Sequence, residues 1–176
     1  MLDGVGSPKS SESFQAAVAA LYELAVTLKF MLKKPLVDRV ADFTIMPLEG
    51  FFGGNAEDGS SFGAEPGTQT WTLMIALLGE ITSDLVAAAA RELKSRENPL
   101  RLGEVRFERF CEGPCVHVLH VGPYAAEQPT IDALHAFARE QGYALHGCHH
   151  GIYRGDQRCT APERLTTGIR HPVRRA

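Results

Sequence analysis

Cys148-His149-His150-Gly151-Ile152-Tyr153-Arg154 brings a thiol, two imidazoles and a phenol into one short run, the densest group of reactive side chains in the sequence. Alternation along a strand places His149, Gly151 and Tyr153 on one face and Cys148, His150 and Ile152 on the other. A pocket built here is lined by one of those faces. The central glycine then marks a missing side chain or a close backbone approach. An imidazole titrates near neutrality and serves as a general base without tuning, so the run is a candidate for acid–base chemistry. Cysteine and histidine are also zinc ligands, but His149 and His150 point to opposite faces and do not converge on one ion. Cys111, Cys115, Cys148 and Cys159 match no paired zinc spacing, and no Gly-x-Ser-x-Gly elbow supplies a nucleophile. No metal and no cofactor is expected. Cys111 and Cys115 flank a turn and are read as reduced thiols.

A second constellation is aromatic. Phe51, Phe52, Trp71, Phe107, Tyr124 and Tyr153 all fall on strands or at strand ends, where a sheet concavity collects them into the mostly apolar lining typical of ligand clefts. The competing reading is plain core packing. Phe51 and Phe52 are adjacent, so one of them points away from the core of any single sheet. Trp71 and Leu73 share one face of their strand, Thr72 and Met74 the other.

These residues need elements to hold them. A helix is expected from about Ser11 to Lys33, where Phe14, Ala17, Val18, Leu21, Ala25, Leu28 and Leu32 recur at helical spacing, until Pro35 stops it. Strands are expected at Asp42–Ile45 and Leu48–Phe52, broken by Pro47, and at Thr70–Ala76. The glycine-rich stretch between them, 53–70, is long enough to be a lid. A second helix begins at a Thr82 or Ser83 cap and ends at Asn98-Pro99. Val105–Phe110 and Val116–Val121 read as a hairpin turned at Glu112-Gly113-Pro114. A third helix runs from about Pro129 to Gln141, with Ile131, Leu134, Phe137 and Ala138 inward and Gly142 as its C-terminal cap. The opening stretch and Thr167–Val173 supply the last strands. Helices segregated on an antiparallel sheet make an α+β domain, one domain over 1–176 with two similar units, about 1–80 and 81–176.

The chain has 176 residues, 44% apolar and 22% charged, with net charge −3 and pI about 6.2. That balance gives no basic surface for nucleic acid or an anionic membrane. The basic tail at Arg170–Arg175 reads as a solvated terminus. The sequence shows no signal-peptide pattern and no evident run of the ~20 apolar residues that span a bilayer. A cytoplasmic monomer or homodimer is expected, with a hydrophobic small molecule as partner.

The motifs resemble those of the GyrI-like small-molecule-binding family, in its free-standing subgroup. The resemblance is carried by Asp3-Gly4, Ala20-Leu21-Tyr22, Thr27-Leu28-Lys29-Phe30, Pro47-Leu48-Glu49-Gly50, Trp71–Ile75, Val105–Glu108, His120–Tyr124, Thr130-Ile131, Phe137, Gly142-Tyr143, His149-His150-x-Ile152-Tyr153, Ala161–Leu165 and Ile169-Arg170-x-Pro172-Val173. It implies a duplicated strand-helix-strand-strand unit around a central cleft that takes bulky apolar or drug-like molecules. Some members of the subgroup hydrolyse cyclopropane-bearing genotoxic natural products. The chain departs from the pattern in three places. Gly151 stands where the family carries an acid, Phe51-Phe52 stands for a tryptophan pair, and the first strand is either short or trimmed.

The resemblance and the residues together yield three readings. The first is a binding protein, for sequestration, sensing or self-resistance, with Phe51, Phe52, Trp71, Met74, Phe107, Tyr124, His149, Gly151 and Tyr153 lining the cleft. On that reading Gly151 leaves room for a larger or uncharged ligand, and Gly151→Glu restores affinity for cationic aromatics. The second is a hydrolase of cyclopropanoid-type compounds with relocated chemistry, drawing on Glu49, Glu108, His149 or Tyr124, with His150 and Tyr153 also near the cleft. The third is an interaction module using the sheet face. Recovery of a bound molecule changed or unchanged separates the first two.

Overall fold

The computed structural model describes residues 1–8, 11–32, 44–53, 69–77, 79, 81–155 and 159–176. The elements run β1 (Leu2–Val5), α1 (Glu12–Leu32), β2 (Leu48–Phe52), β3 (Thr70–Ile75), α2 (Ser83–Arg96), β4 (Cys115–Val121), α3 (Gln128–Glu140), β5 (Tyr143–Leu145), β6 (His149–Tyr153) and β7 (Thr166–Arg175). The strands form an antiparallel sheet in the order β1-β3-β2-β6-β7-β4, with β5 alongside β7. The expected α+β class holds. So does the duplicated unit: β1-α1-β2-β3 gives one half in the order β1-β3-β2. β4-α3-β6-β7 gives the other in the order β4-β7-β6, and α2 connects the two.

The halves meet where β2 pairs with β6, and the centre of that five-pair ladder is Gly50 opposite Gly151. Neither position carries a side chain, and neighbouring rings take the space. A Cβ on Gly50 would lie 2.8 Å from the Phe52 ring, and one on Gly151 would lie 3.0 Å from the Tyr153 hydroxyl. At the edge strand the Trp71 indole covers Gly4 in the same way. In each case an aromatic side chain occupies the space that a side chain on the glycine would need.

α1 starts at Ser11, whose hydroxyl accepts from the Phe14 N–H at 3.3 Å, a standard use of serine at a helix start. Phe14, Ala17 and Leu21 pack on Leu2, Leu48, Phe52, Trp71 and Leu73. Further along, Leu24, Leu28 and Leu32 meet Ala89 and Leu93 of α2. The expectation that no segment suits a bilayer span needs correcting, because α1 passes that test by length and composition. Its apolar stripe is instead packed on the sheet and on α2. Thr82 caps α2 as expected, its hydroxyl accepting from the Leu85 N–H at 3.4 Å. α3 packs Ile131, Leu134 and Ala138 on Val116, Ile169 and Val173.

Several expectations are corrected. Val105–Phe110 forms no strand and follows a 3-10 turn at Leu102–Glu104. It is held at its start by reciprocal interactions between Met1 and Arg106. The unit's first strand is therefore β4 rather than a 105–121 hairpin. Phe137 is 52% exposed rather than inward, and β5 carries no strand signal strong enough to have been expected. The expected lid falls largely on 54–68, and the expected helix end at Lys33–Pro35 and strand start at Asp42 also lie outside the described residues. None of the four cysteines is in a disulfide.

Trp71 is 2% exposed, edge-on to Phe14 at 5.1 Å, with Arg101 over its ring. Its emission is expected to be blue-shifted and unquenched by acrylamide in the folded chain, moving to the red on unfolding. A solvent-quenchable native tryptophan would contradict this packing.

Candidate functional site

Strand alternation divides the candidate residues between the two faces of the sheet. The helix-bearing face carries Phe52 and Gly50 of β2, Trp71 of β3, and His149, Gly151 and Tyr153 of β6. The same face carries Thr167, Ile169 and His171 of β7, which lie opposite Tyr153, Gly151 and His149 in register. The other face carries Glu49, Phe51, Met74, His150 and Arg170. One cleft cannot collect all nine expected lining residues: Phe51 and Met74 lie on the far face, and Phe107, 41% exposed, sits in the irregular 105–114 segment. Glu108, a catalytic candidate, is exposed and paired with Arg106 at 2.9 Å.

On the far face His150 is fully buried, with Nε2 at 2.9 Å from Glu49 and Nδ1 at 3.1 Å from both Glu112 oxygens. Phe51 stacks on its ring at 4.1 Å, Phe110 packs edge-on to Phe51, and Arg170 reaches Glu112 at 3.4 Å. Burial alone would lower the His150 pKa, but the two carboxylates outweigh it and hold the ring above its ordinary value. Burial likewise pushes Glu112 up, yet His150 and Arg170 bring it below the usual carboxylate range. Both ring nitrogens donate to carboxylates, so His150 has no nitrogen left to take a proton from a substrate. The triad ties the 105–114 segment to the centre of the sheet.

On the helix-bearing face, α1 lies over β1 and β3 and α3 over β4 and β5. The glycine seam between β2 and β6 therefore lies between the helices. Beside it Tyr153 meets Tyr124, from a 3-10 turn at Tyr124–Ala126, edge-on at 5.4 Å. Both tyrosines are half-buried. Near Tyr153 is Glu127, 7% exposed, a residue the sequence reading did not select. It occupies the N-cap of α3, yet its side chain makes no capping bond, and its Oε1 is buried with no hydrogen-bond partner. Burial pushes its pKa up, while Thr167 and His120 pull the other way. Burial, then Glu127 and Tyr124, raise the Tyr153 phenol in turn. The available signal was a Glu at the start of a helix, after Gly-Pro-Tyr; its usual meaning, a favourable charge at the helix dipole, hid the inward turn.

Next to the seam, His149 and His171 stand opposite each other, and His135 of α3 bonds His171 at 3.1 Å. Burial, then the neighbouring imidazoles His171, His135 and His150, depress His149 to about 3. Burial and His135 lower His171 to about 4. These rings are neutral at pH 7. Among the described residues no group of His, Cys, Asp or Glu is placed to hold a metal ion.

Gly151 does not open a vacant space, because the Tyr153 phenol lies in it. Gly151→Glu is therefore expected to displace Tyr153 and to lower stability by about 1–3 kcal/mol. Truncating Tyr153 to alanine in the same chain should relieve much of that loss. A double-mutant cycle in denaturant checks it, and additive effects would mean the two positions do not compete.

No family model and no curated protein matches the chain. Among solved structures, an uncharacterized conserved protein from Listeria innocua is 31% identical, with a TM-score of 0.88, covering 98% of this chain and 85% of that one. A hydrolase from Listeria innocua is 30% identical over the same shares, with a TM-score of 0.83. The chain belongs to the family of these two proteins. The EcmrR C-terminal domain, 12% identical at a TM-score of 0.54 over 99% of this chain and 89% of that one, shares the fold. The fold is GyrI-like.

Proposed function

We propose that the cleft over the Gly50–Gly151 seam, between α1 and α3, binds a bulky and largely apolar small molecule of drug or natural-product type, for sequestration, sensing or self-resistance. The observation that carries this reading is the Tyr124–Tyr153 pair, half-buried beside a glycine seam that is covered by the Phe52 and Tyr153 rings and flanked by α1 and α3. Aromatic walls with a few polar groups are the usual make-up of such sites. Equilibrium titration with the uncharged dye Nile red is expected to show saturable one-to-one binding. Tyr124→Ala should weaken it, and the dye should be recovered unchanged. Non-saturable partitioning, or indifference to Tyr124→Ala, would sink the assignment.

A second reading is hydrolysis of a cyclopropane-bearing natural product, favoured by the 30% identity to the Listeria innocua hydrolase and by the carboxyl group near Tyr153. Water would add across one ring bond, one carbon taking the hydroxyl and the other the proton, with no other reactant. Of the four groups first selected, Glu108 is exposed and ion-paired, Glu49 is committed to His150, and His149 is held neutral beneath the helices. Tyr124 remains, with Glu127 and Tyr153. Mass spectrometry showing a gain of one water above stoichiometric turnover, abolished in Glu127→Leu, would establish this reading over simple binding.

A further inference from the structure

Glu127 departs from its counterpart in the other half of the fold. The helix of the first unit begins at Ser11, whose side chain caps it; the helix of the second begins at Glu127, whose side chain does not. Its carboxyl group is turned inward instead, with Oε1 buried and unpartnered. Thr167, 1% exposed, lies beside it, its hydroxyl close enough to draw the carboxyl pKa down against burial, yet neither Thr167 Oγ1 nor Glu127 Oε1 is held in a well-formed hydrogen bond. Two such polar oxygens in one place call for a hydrogen-bonding occupant, since buried polar groups are otherwise paired. The Tyr153 phenol, close enough to be influenced by the Glu127 charge, lies against Gly151 of the seam.

We infer that Glu127, Thr167 and the Tyr153 hydroxyl form a recessed polar subsite that donates hydrogen bonds to a carbonyl-type acceptor on an otherwise apolar, uncharged ligand. This rests on the cleft reading above and adds the chemistry of its recognition. Burial favours the protonated carboxyl group, which is a donor. Thr167 and Tyr153 each bring a hydroxyl of their own. A permanently cationic ligand would instead require the bare carboxylate, against that burial.

Three tricyclic probes decide it: 9-fluorenone, with a carbonyl; fluorene, of the same shape without one; and 9-aminoacridine, a planar cation at neutral pH. The full chain is expected to bind 9-fluorenone best. Glu127→Gln, which keeps a neutral donor, should stay within about threefold for that probe. Glu127→Leu should lose about tenfold or more while leaving fluorene unchanged. Thr167→Val serves as an independent variant and should weaken 9-fluorenone selectively, with near-UV circular dichroism checking that each variant is folded. Equal affinity for 9-fluorenone and fluorene, unmoved by either substitution, overturns the subsite but not the cleft. Preference for 9-aminoacridine, lost in Glu127→Gln, overturns the donor assignment. Failure of all three to bind the native chain overturns the cleft reading and the subsite with it.

Discussion

His150→Ala is expected to destabilise the chain by about 3–5 kcal/mol, the range for breaking a buried ion pair by removing one partner. The ring is fully buried between two carboxylates, Glu49 and Glu112. Without it those carboxylates lose their shared counter-charge, and Phe51 loses the surface on which it stacks. Arg170, at 3.4 Å from Glu112, still pairs with that carboxylate, so the loss falls mainly on Glu49. Urea unfolding measures the loss. If the apolar replacement of all three members, Glu49→Leu with His150→Leu and Glu112→Leu, recovers much of it, unpaired charge is the cause rather than lost packing. A cost below about 1 kcal/mol would mean that water reaches the triad, as at exposed pairs. Because the triad lies on the face away from the cleft, ligand binding by the folded variant should change little.

Stability is expected to pass through a maximum above pH 6.5, because burial also lowers His117 and His135, and to fall on both sides for opposite reasons. His149 and His171 have folded pKa values of about 3 and about 4, below the ordinary value of about 6.5. As pH falls below 6.5 the unfolded chain takes up these protons first, so stability drops until the folded rings also titrate. The His149 proton alone gives a slope approaching about 1.4 kcal/mol per pH unit, and His171 steepens it. His150 runs the other way: its folded pKa is raised, so its contribution is complete below 6.5 and is lost as pH rises through the folded value. Chemical denaturation from pH 4 to pH 9 tests both limbs. In His150→Gln the alkaline limb should flatten while the acid limb stays. Persistence of the alkaline limb in that variant would assign it to another group.

The residues that announced the fold were those whose periodicity had one physical reading. The α1 stripe, the Thr82 cap and the alternation of His149, Gly151 and Tyr153 all follow from backbone geometry that a single chain displays. Val105–Phe110 misled because its alternation resembles a strand. In the structure Phe107 and Phe110 remain largely exposed and Glu112 is drawn to His150, a contact set by tertiary position alone. The site was half legible. Tyr124 and Tyr153 could be singled out as aromatics at strand ends. The pairing of Gly50 with Gly151, and the rings lying over both, needed the register of two strands about a hundred residues apart. Glu127 was hidden for a related reason: a helix-capping position gives no sign of where the side chain turns.

The duplicated architecture makes Phe52 and Tyr153 equivalent positions, each two residues beyond a seam glycine and each covering it. One carries a hydroxyl and the other does not. A cleft with near-twofold walls would accept an elongated guest in either of two orientations. Here Tyr153, Tyr124 and Glu127 bring hydroxyl and carboxyl groups on one side of the axis, and Phe52 answers Tyr153 with hydrocarbon on the other. The symmetric frame thus acquires a head and a tail, and a guest of the proposed kind would enter it in one orientation rather than two.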